Sequence, residues 1–131
     1  MTISKDKVKN LMETKALDII NGKGFWGIKS RYRELECEIR QLSNQYLKSE
    51  KLEDKIIGLG IDTWFYYSRA EDNGANKSYS FSVFAQNFFN SMKNILLEMD
   101  KNQKQAIDLI QGAYPPPTNP VIVREGHTFY Y

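Results

Sequence analysis

The fold class of this chain depends on residues 63–83, TWFYYSRAEDNGANKSYSFSV. The run Thr63–Tyr67 is rich in β-branched and aromatic residues, which favour strands. Residues 71–76 have the composition of a turn. Ser78–Val83 then alternates strictly between polar and apolar residues, which is the period of a half-buried strand. Together these features predict a central β-hairpin, with Thr63–Arg69 paired to Ser78–Val83.

A helical interpretation of the same stretch is the alternative. Four apolar residues also fit one face of a helix: Phe81, Phe84, Ala85 and Phe88. Lys51–Ile57 could extend a helix into the stretch, but Gly58 and Gly60 follow it, and each glycine costs about 1 kcal/mol in a helix interior. We therefore expect the hairpin, with an all-α helical bundle as the second choice.

Two amphipathic helices are predicted before this stretch. The first covers Ser4–Asn21, with Ser4 as its N-cap and the glycine-rich residues 21–24 as its end. The second begins near Ile28–Ser30 and carries apolar residues at alternating steps of four and three. Its apolar seam comprises Ile28, Tyr32, Leu35, Ile39, Leu42 and Tyr46. We expect the two helices to pack as an antiparallel hairpin, and a homodimer formed through the 28–46 seam is the alternative.

A long aromatic-faced helix and a short helix are predicted after it. The long helix covers about Phe84–Met99, and the short one covers about Asn102–Gln111. The apolar stripe of the long helix contains Phe84, Phe88, Phe89, Met92, Ile95, Leu96 and Met99. Residues 113–120 hold all four prolines and form a stiff connector. The chain then ends in Val121–Arg124, Glu125-Gly126 and His127–Tyr131, the pattern of a C-terminal β-hairpin.

The composition is that of one ordinary globular domain. A chain of 131 residues with 41% hydrophobic and 26% charged residues can build its own core, so we expect a single α+β domain over residues 1–131. The net charge of +2 excludes both a polycation and an acidic tail protein. The sequence has no apolar run long enough for a membrane span and no signal peptide, which predicts a cytoplasmic protein with no membrane partner.

The chain is poor in the residues that carry catalysis or bind metals. It has one cysteine, Cys37, which points away from the apolar seam and has no neighbour that would activate a thiolate. It has one histidine, His127, and zinc needs about four ligands. No phosphate-binding or dinucleotide-binding glycine motif occurs. We therefore expect no enzyme activity, no metal and no cofactor.

Residues 21–33, NGKGFWGIKSRYR, form a basic and aromatic stretch without an acidic residue. Glycines let backbone amides approach a ligand, and the following helix N-terminus favours an anion. This pattern predicts a contact with a nucleic acid or a nucleotide, using five side chains: Lys23, Trp26, Lys29, Arg31 and Arg33. The alternative is that the cations are solvated and the aromatic rings close the core at a corner.

Tyrosines are the second candidate for a binding surface. Tyr66, Tyr67, Tyr130 and Tyr131 are difficult to bury together because each hydroxyl group needs a hydrogen-bond partner or water. Side chains with one apolar and one polar end suit protein interfaces. The alternative is a sheet whose tyrosine hydroxyls reach solvent.

These observations predict a small non-catalytic intracellular binding protein that acts by occluding a macromolecular partner. We expect this partner to be a protein. Inhibitors and immunity-type proteins encoded by phages and mobile elements have this profile of size and missing catalytic groups, although no motif identifies one. The alternative function is a nucleic-acid or nucleotide-binding module that uses residues 21–33. A small subunit of a ribonucleoprotein assembly is a third, weaker hypothesis.

Overall fold

The computed structural model of the chain describes residues 3–25, 28–72 and 80–115, without the side chains of residues 28–30 and 72. The described residues form seven α-helices and one π-helical segment, and they contain no strand. The α+β class predicted from the sequence is therefore wrong. The second choice, an all-α bundle, is the fold of these residues.

The helices follow one another in an order that leaves short connections. In chain order they are α1 (Lys5–Lys9), the π-helical segment (Asn10–Lys15), α2 (Ala16–Gly22), α3 (Ile28–Leu47), α4 (Leu52–Asp72), α5 (Phe81–Ser91), α6 (Lys93–Leu96) and α7 (Lys101–Ala113). The first three elements run on without a break, and we call them together the N-terminal helix.

The predicted first helix is confirmed. Ser4 is its N-cap and accepts a hydrogen bond from the backbone amide of Lys7 at 3.1 Å. The helix ends at Gly22, two residues before Gly24, whose φ is 79°. The π-helical turn in its middle has no signal in the sequence.

The first predicted strand, Thr63–Arg69, lies inside α4, so the central β-hairpin is wrong. Residues 55–61 are buried without interruption, and Thr63 and Phe65 are buried beyond them. A helix enclosed by its neighbours is apolar all round and shows no amphipathic stripe. Thr63, a strand-favouring residue, fits the helix because its hydroxyl donates to the Leu59 carbonyl at 2.8 Å.

The second predicted strand is also wrong where the structure describes it. Ser80 is the N-cap of α5 and accepts a hydrogen bond from the Val83 amide at 3.2 Å. The alternation of serine with apolar residues therefore reflects a helix cap and its first turn. Residues 73–79, which contain the predicted turn, lie outside the described residues.

The central element is α4, which contacts α3, the N-terminal helix, α5 and α7. Two glycines of α4 let neighbouring helices approach its backbone closely, on different sides of the helix. A Cβ atom on Gly60 would lie 2.6 Å from the Met12 carbonyl oxygen, and one on Gly58 would lie 2.9 Å from Cγ of Leu47. The predicted N-terminal helical hairpin is wrong, since α3 packs on α4 and makes no comparable contact with the N-terminal helix.

The predicted seam of α3 is confirmed as a buried stripe. Tyr32, Leu35, Ile39 and Leu42 are buried in the core, and α3 makes its main contact with α4. The helix is kinked at Arg31, where φ is −124° and ψ is 18°. The homodimer through residues 28–46 stays a prediction, and it would compete with contacts that the chain already makes within itself.

The predicted long aromatic helix is divided into two. Its buried aromatic face is present in α5, but α5 ends at Ser91, and α6 is a separate helix of four residues. The helix α7 starts with a reciprocal cap in which Asp100 accepts from the Gln103 amide at 2.8 Å. It ends at Ala113, within the predicted 113–120 connector.

The C-cap of α7 ties the end of the described chain to its beginning. Tyr114 is buried, and its hydroxyl donates to the carboxylate of Glu13 on the π-helical segment. The rest of the connector from residue 116, and the predicted C-terminal hairpin Val121–Tyr131, lie outside the described residues.

Candidate binding surfaces

Three of the cations predicted as ligand contacts are exposed. Lys23 is the C-cap of α2. Arg31 lies at the kink of α3 and pairs with Glu34 at 3.3 Å. Arg33 donates from Nε to the Tyr32 hydroxyl at 3.2 Å. The other two predicted contacts are not described: Trp26 lies outside the described residues, and only the backbone of Lys29 is placed, in the first turn of α3.

The described aromatic rings of the same stretch belong to the core. Tyr32 is 5% exposed and meets Phe65 edge-on, with 6.2 Å between the ring centroids. The guanidinium carbons of Arg33 and Arg69 lie 5.6 and 5.9 Å from the centroid of the same ring. Phe25 is half-buried against the core. The buried ring of Tyr32 does not present the open face that stacking on a base requires.

The two described tyrosines of the predicted interface are half-buried between α4 and α5. Tyr66 stacks on Phe88 with 5.5 Å between centroids, and Tyr67 meets Phe84 edge-on at 5.3 Å. Burial, together with the charge and hydrogen bond of Glu71, raises the pKa of Tyr67. Both rings are therefore part of the aromatic core and reach the surface only in part. Tyr130 and Tyr131 lie outside the described residues.

A set of polar side chains connects α3 with α4. Its outer part is centred on Arg40, whose side chain is 44% exposed. Arg40 donates from Nε to Glu36 at 3.0 Å and from a terminal nitrogen to the Tyr66 hydroxyl. Its guanidinium carbon also lies 5.3 Å from the centroid of the Tyr66 ring. These contacts hold Arg40 in one place on the surface.

The inner part of the same set is buried. Ser43 donates from its hydroxyl to the Gly58 carbonyl at 3.0 Å. The buried Lys55 donates to the Leu47 carbonyl at 2.7 Å, so that it caps the end of α3. We call the whole set the polar ladder; it comprises Glu36, Arg40, Ser43, Lys55, Asp62 and Tyr66.

Asp62 is the acidic member of the ladder and lies beside Ser43 and Arg40. Burial raises the pKa of the Asp62 carboxyl to about 6, although the hydrogen bond with Ser43 and the charge of Arg40 oppose the change. The contacts that join the two helices, Arg40 with Tyr66 and Ser43 with Gly58, span 26 and 15 residues, so no spacing pattern could reveal them.

The other notable surface is apolar. We call residues 92–99, MKNILLEM, the α6 corner. Ile95 and Leu97 are 50% and 64% exposed, and they are the exposed large hydrophobic residues of the described chain. Leu96 between them is buried. The stripe predicted for one long helix included Ile95 and did not include Leu97.

The exposure of the corner follows from the end of α5. Met92 leaves the helical conformation, with φ at −96° and ψ at 12°, and α6 lasts only four residues before the chain turns again. The main contact of α6 is with α5. Of the predicted stripe from Met92 onward, Leu96 is buried and Met92 and Met99 are half-buried against the core, whereas Ile95 is exposed.

Cys37 is exposed, as the seam predicted. In residues 3–25, 28–72 and 80–115, no group of three or more His, Cys, Asp or Glu side chains is placed to hold a metal ion. Over the same ranges, no helix combines the length and apolar character needed to cross a membrane. Comparison of the chain with protein-family models, curated proteins and solved structures finds no match.

Proposed function

We propose that this chain is a small, non-catalytic, intracellular binding protein that acts by occluding a protein partner, and that the α6 corner makes the central contact. The observation that supports the proposal is the exposure of both Ile95 and Leu97 within one short segment, when the other large apolar side chains of the described residues are buried or half-buried. An exposed apolar patch within a polar rim is typical of protein interaction sites.

The neighbours of these two side chains suit an interface. Met92 and Met99 are half-buried on either side of them, and methionine can adapt its shape to a partner. Lys93, Asn94 and Glu98 are exposed and form a polar rim. Burial of an apolar side chain of this size stabilises a complex by roughly 1.5–3 kcal/mol, so the pair could supply a substantial share of the binding free energy.

The proposal is tested by capture from a lysate of the host cell, with the full chain as bait. A partner of the α6 corner should be captured by the wild-type protein and lost, by at least about tenfold, with the double variant Ile95→Asp and Leu97→Asp. The matched control is Lys93→Ala with Glu98→Ala, which changes the rim of the same corner. Equal capture by the wild-type protein and the aspartate variant, with both folded by circular dichroism, would refute the proposal.

The nucleic-acid or nucleotide hypothesis for residues 21–33 stays a prediction with weaker support. The exposed Lys23, Arg31 and Arg33 favour it, whereas Tyr32 and Phe25 are packed against the core. If it holds, the purified protein should carry a raised 260/280 absorbance ratio, and its affinity should fall steeply as salt rises. Arg31→Glu combined with Arg33→Glu should abolish that binding.

A further inference from the structure

Two arginines from different helices lie against one buried ring. The guanidinium carbon of Arg33 on α3 lies 5.6 Å from the ring centroid of Tyr32, and that of Arg69 on α4 lies 5.9 Å from the same point. Tyr32 is 5% exposed and packs edge-on against Phe65, so the ring that the two cations share is held in place. We call Arg33 and Arg69 the arginine pair.

The pairing of α3 with α4 places the arginine pair beside the polar ladder. Arg40 on α3 donates to the hydroxyl of Tyr66 on α4. Arg33 precedes Arg40 by seven residues, which is about two helical turns, and Arg69 follows Tyr66 by three. Each member of the pair therefore lies on the same helix face as a residue of that contact.

The charge of Arg69 is not offset by a carboxylate. Among the described side chains, Arg69 forms no ion pair, and its Nε is buried without a hydrogen-bond acceptor. Two acids in the first half of α3 are engaged elsewhere, since Glu34 pairs with Arg31 and Glu36 pairs with Arg40. Buried polar groups without a partner are uncommon in proteins, and a bound ion is one of their ordinary explanations.

The arginine pair is oriented and can be reached from solvent. Arg33 is exposed, and its Nε donates to the Tyr32 hydroxyl at 3.2 Å. Arg69 is half-buried. Two cations beside one ring repel each other, and an anion bound by both would remove that repulsion. A planar guanidinium can donate two parallel hydrogen bonds to a phosphate, so the chemistry of the pair favours a phosphate group over a halide ion.

We propose that the arginine pair binds a phosphate group, which Arg33 contacts from α3 and Arg69 contacts from α4. The site needs Arg69, which lies outside residues 21–33, and it needs no stacked ring, so it differs from the contact predicted for that stretch. Phosphate contacts carry no base sequence, and they suit the monoester of a nucleotide as well as the backbone of a nucleic acid. The site uses no residue of the α6 corner, so its test does not depend on the proposed protein partner.

The test is an NMR titration of the full chain with sodium phosphate at pH 7 and constant ionic strength, with sodium chloride as the reference. The Nε–H signals of Arg33 and Arg69 should shift together and saturate with phosphate, and they should stay in place with chloride. In Arg69→Gln, the affinity for phosphate should fall by at least about tenfold. The matched control is Arg31→Gln, which removes an exposed arginine of α3 that already pairs with Glu34 and should change the affinity by less than about twofold.

Two further probes identify the source of the phosphate group. Adenosine monophosphate carries a phosphate monoester, whereas a short oligodeoxythymidine without a terminal phosphate carries only diesters. The probe that binds more tightly assigns the site to a nucleotide or to a nucleic-acid backbone. Adenosine has no phosphate and should leave both arginine signals in place.

An equal response to phosphate and chloride, or to adenosine monophosphate and adenosine, would overturn the proposal. Equal phosphate affinities of Arg69→Gln and the wild-type protein would overturn it as well. If Arg69→Gln does not fold, Arg69→Lys takes its place, since lysine keeps the charge and lacks the planar fork. That variant should bind phosphate more weakly than the wild-type protein, and an unchanged affinity would count against the site.

Discussion

Apolar residues have opposite roles in α4 and in the α6 corner. Along α4, backbone and side chains are enclosed by neighbouring helices, and Gly60 brings the N-terminal helix into contact with the α4 backbone. In the α6 corner, Ile95 and Leu97 are exposed to solvent over half or more of their surface. Substitutions in α4 should therefore lower the free energy of unfolding whether or not a partner is present. Substitutions in the corner should alter binding and leave the fold intact.

The largest effect is expected for Gly60→Ala. Its Cβ atom would lie 2.6 Å from the Met12 carbonyl oxygen, and a backbone atom in a packed helix cannot move aside easily. We expect a loss of about 3 kcal/mol in the free energy of unfolding, measured by denaturant titration. The control is Gly112→Ala in α7, where no atom lies within 4 Å of the added Cβ, and which should stabilise the protein by up to about 1 kcal/mol. Equal effects of the two substitutions would show that the close approach at Gly60 does not exist.

A smaller effect is expected for Tyr114→Phe. The change removes the hydroxyl that donates to Glu13 and should cost about 1–2 kcal/mol at pH 7. Burial and Glu13 also raise the pKa of Tyr114 far above its usual value near 10. Because the unfolded chain then releases this proton first, the wild-type protein should lose stability as the pH rises above about 10.

The difference between wild type and Tyr114→Phe isolates this pH dependence. Thermal midpoints measured between pH 8 and pH 11 should converge as the pH rises, because the wild-type protein alone loses the contribution of this hydroxyl. A constant difference between the two midpoints would mean that Tyr114 is not the group responsible.

The smallest effect on stability is expected in the corner. Ile95→Asp combined with Leu97→Asp should change the free energy of unfolding by less than about 0.5 kcal/mol per residue, because at least half of each residue is already exposed. Leu96→Asp is the contrasting variant, since Leu96 is buried between them. It should lower the thermal midpoint strongly. Similar losses for both variants would place Ile95 and Leu97 in the core and would remove the distinction between the two regions.

The elements that could be predicted from the sequence are those with one exposed face. The stripe of Tyr32, Leu35 and Ile39 is visible because the opposite face of α3 is polar and solvated. In α4 most positions are enclosed, so the helical period is absent and strand-favouring residues dominate. The pattern Ser80–Val83 fits both a strand and a capped helix start, and packing between distant segments decides which one forms.

The candidate surfaces were harder to predict for a related reason. No glycine or proline marks the end of α5 at Ser91, so the pattern assigned Ile95 to a continuous stripe. The polar ladder joins residues that are distant in the chain, such as Arg40 and Tyr66. Tyr66 was predicted as an interface residue, but its contacts depend on helix pairing that local patterns do not contain.

The π-helical segment gives the N-terminal helix one residue more than a regular α-helix would have. A π-helical hydrogen bond spans five residues where an α-helical bond spans four, so the segment contains one residue more than a regular helix would need between Val8 and Ala16. Deletion of the exposed Thr14 should convert the segment to α-helix and keep the buried side chains of Val8 and Ala16 on the core. A deletion of Glu38 in α3 would instead rotate half of the buried seam by about 100° around the helix axis. Natural length variants of this chain are therefore expected in the N-terminal helix and not in α3.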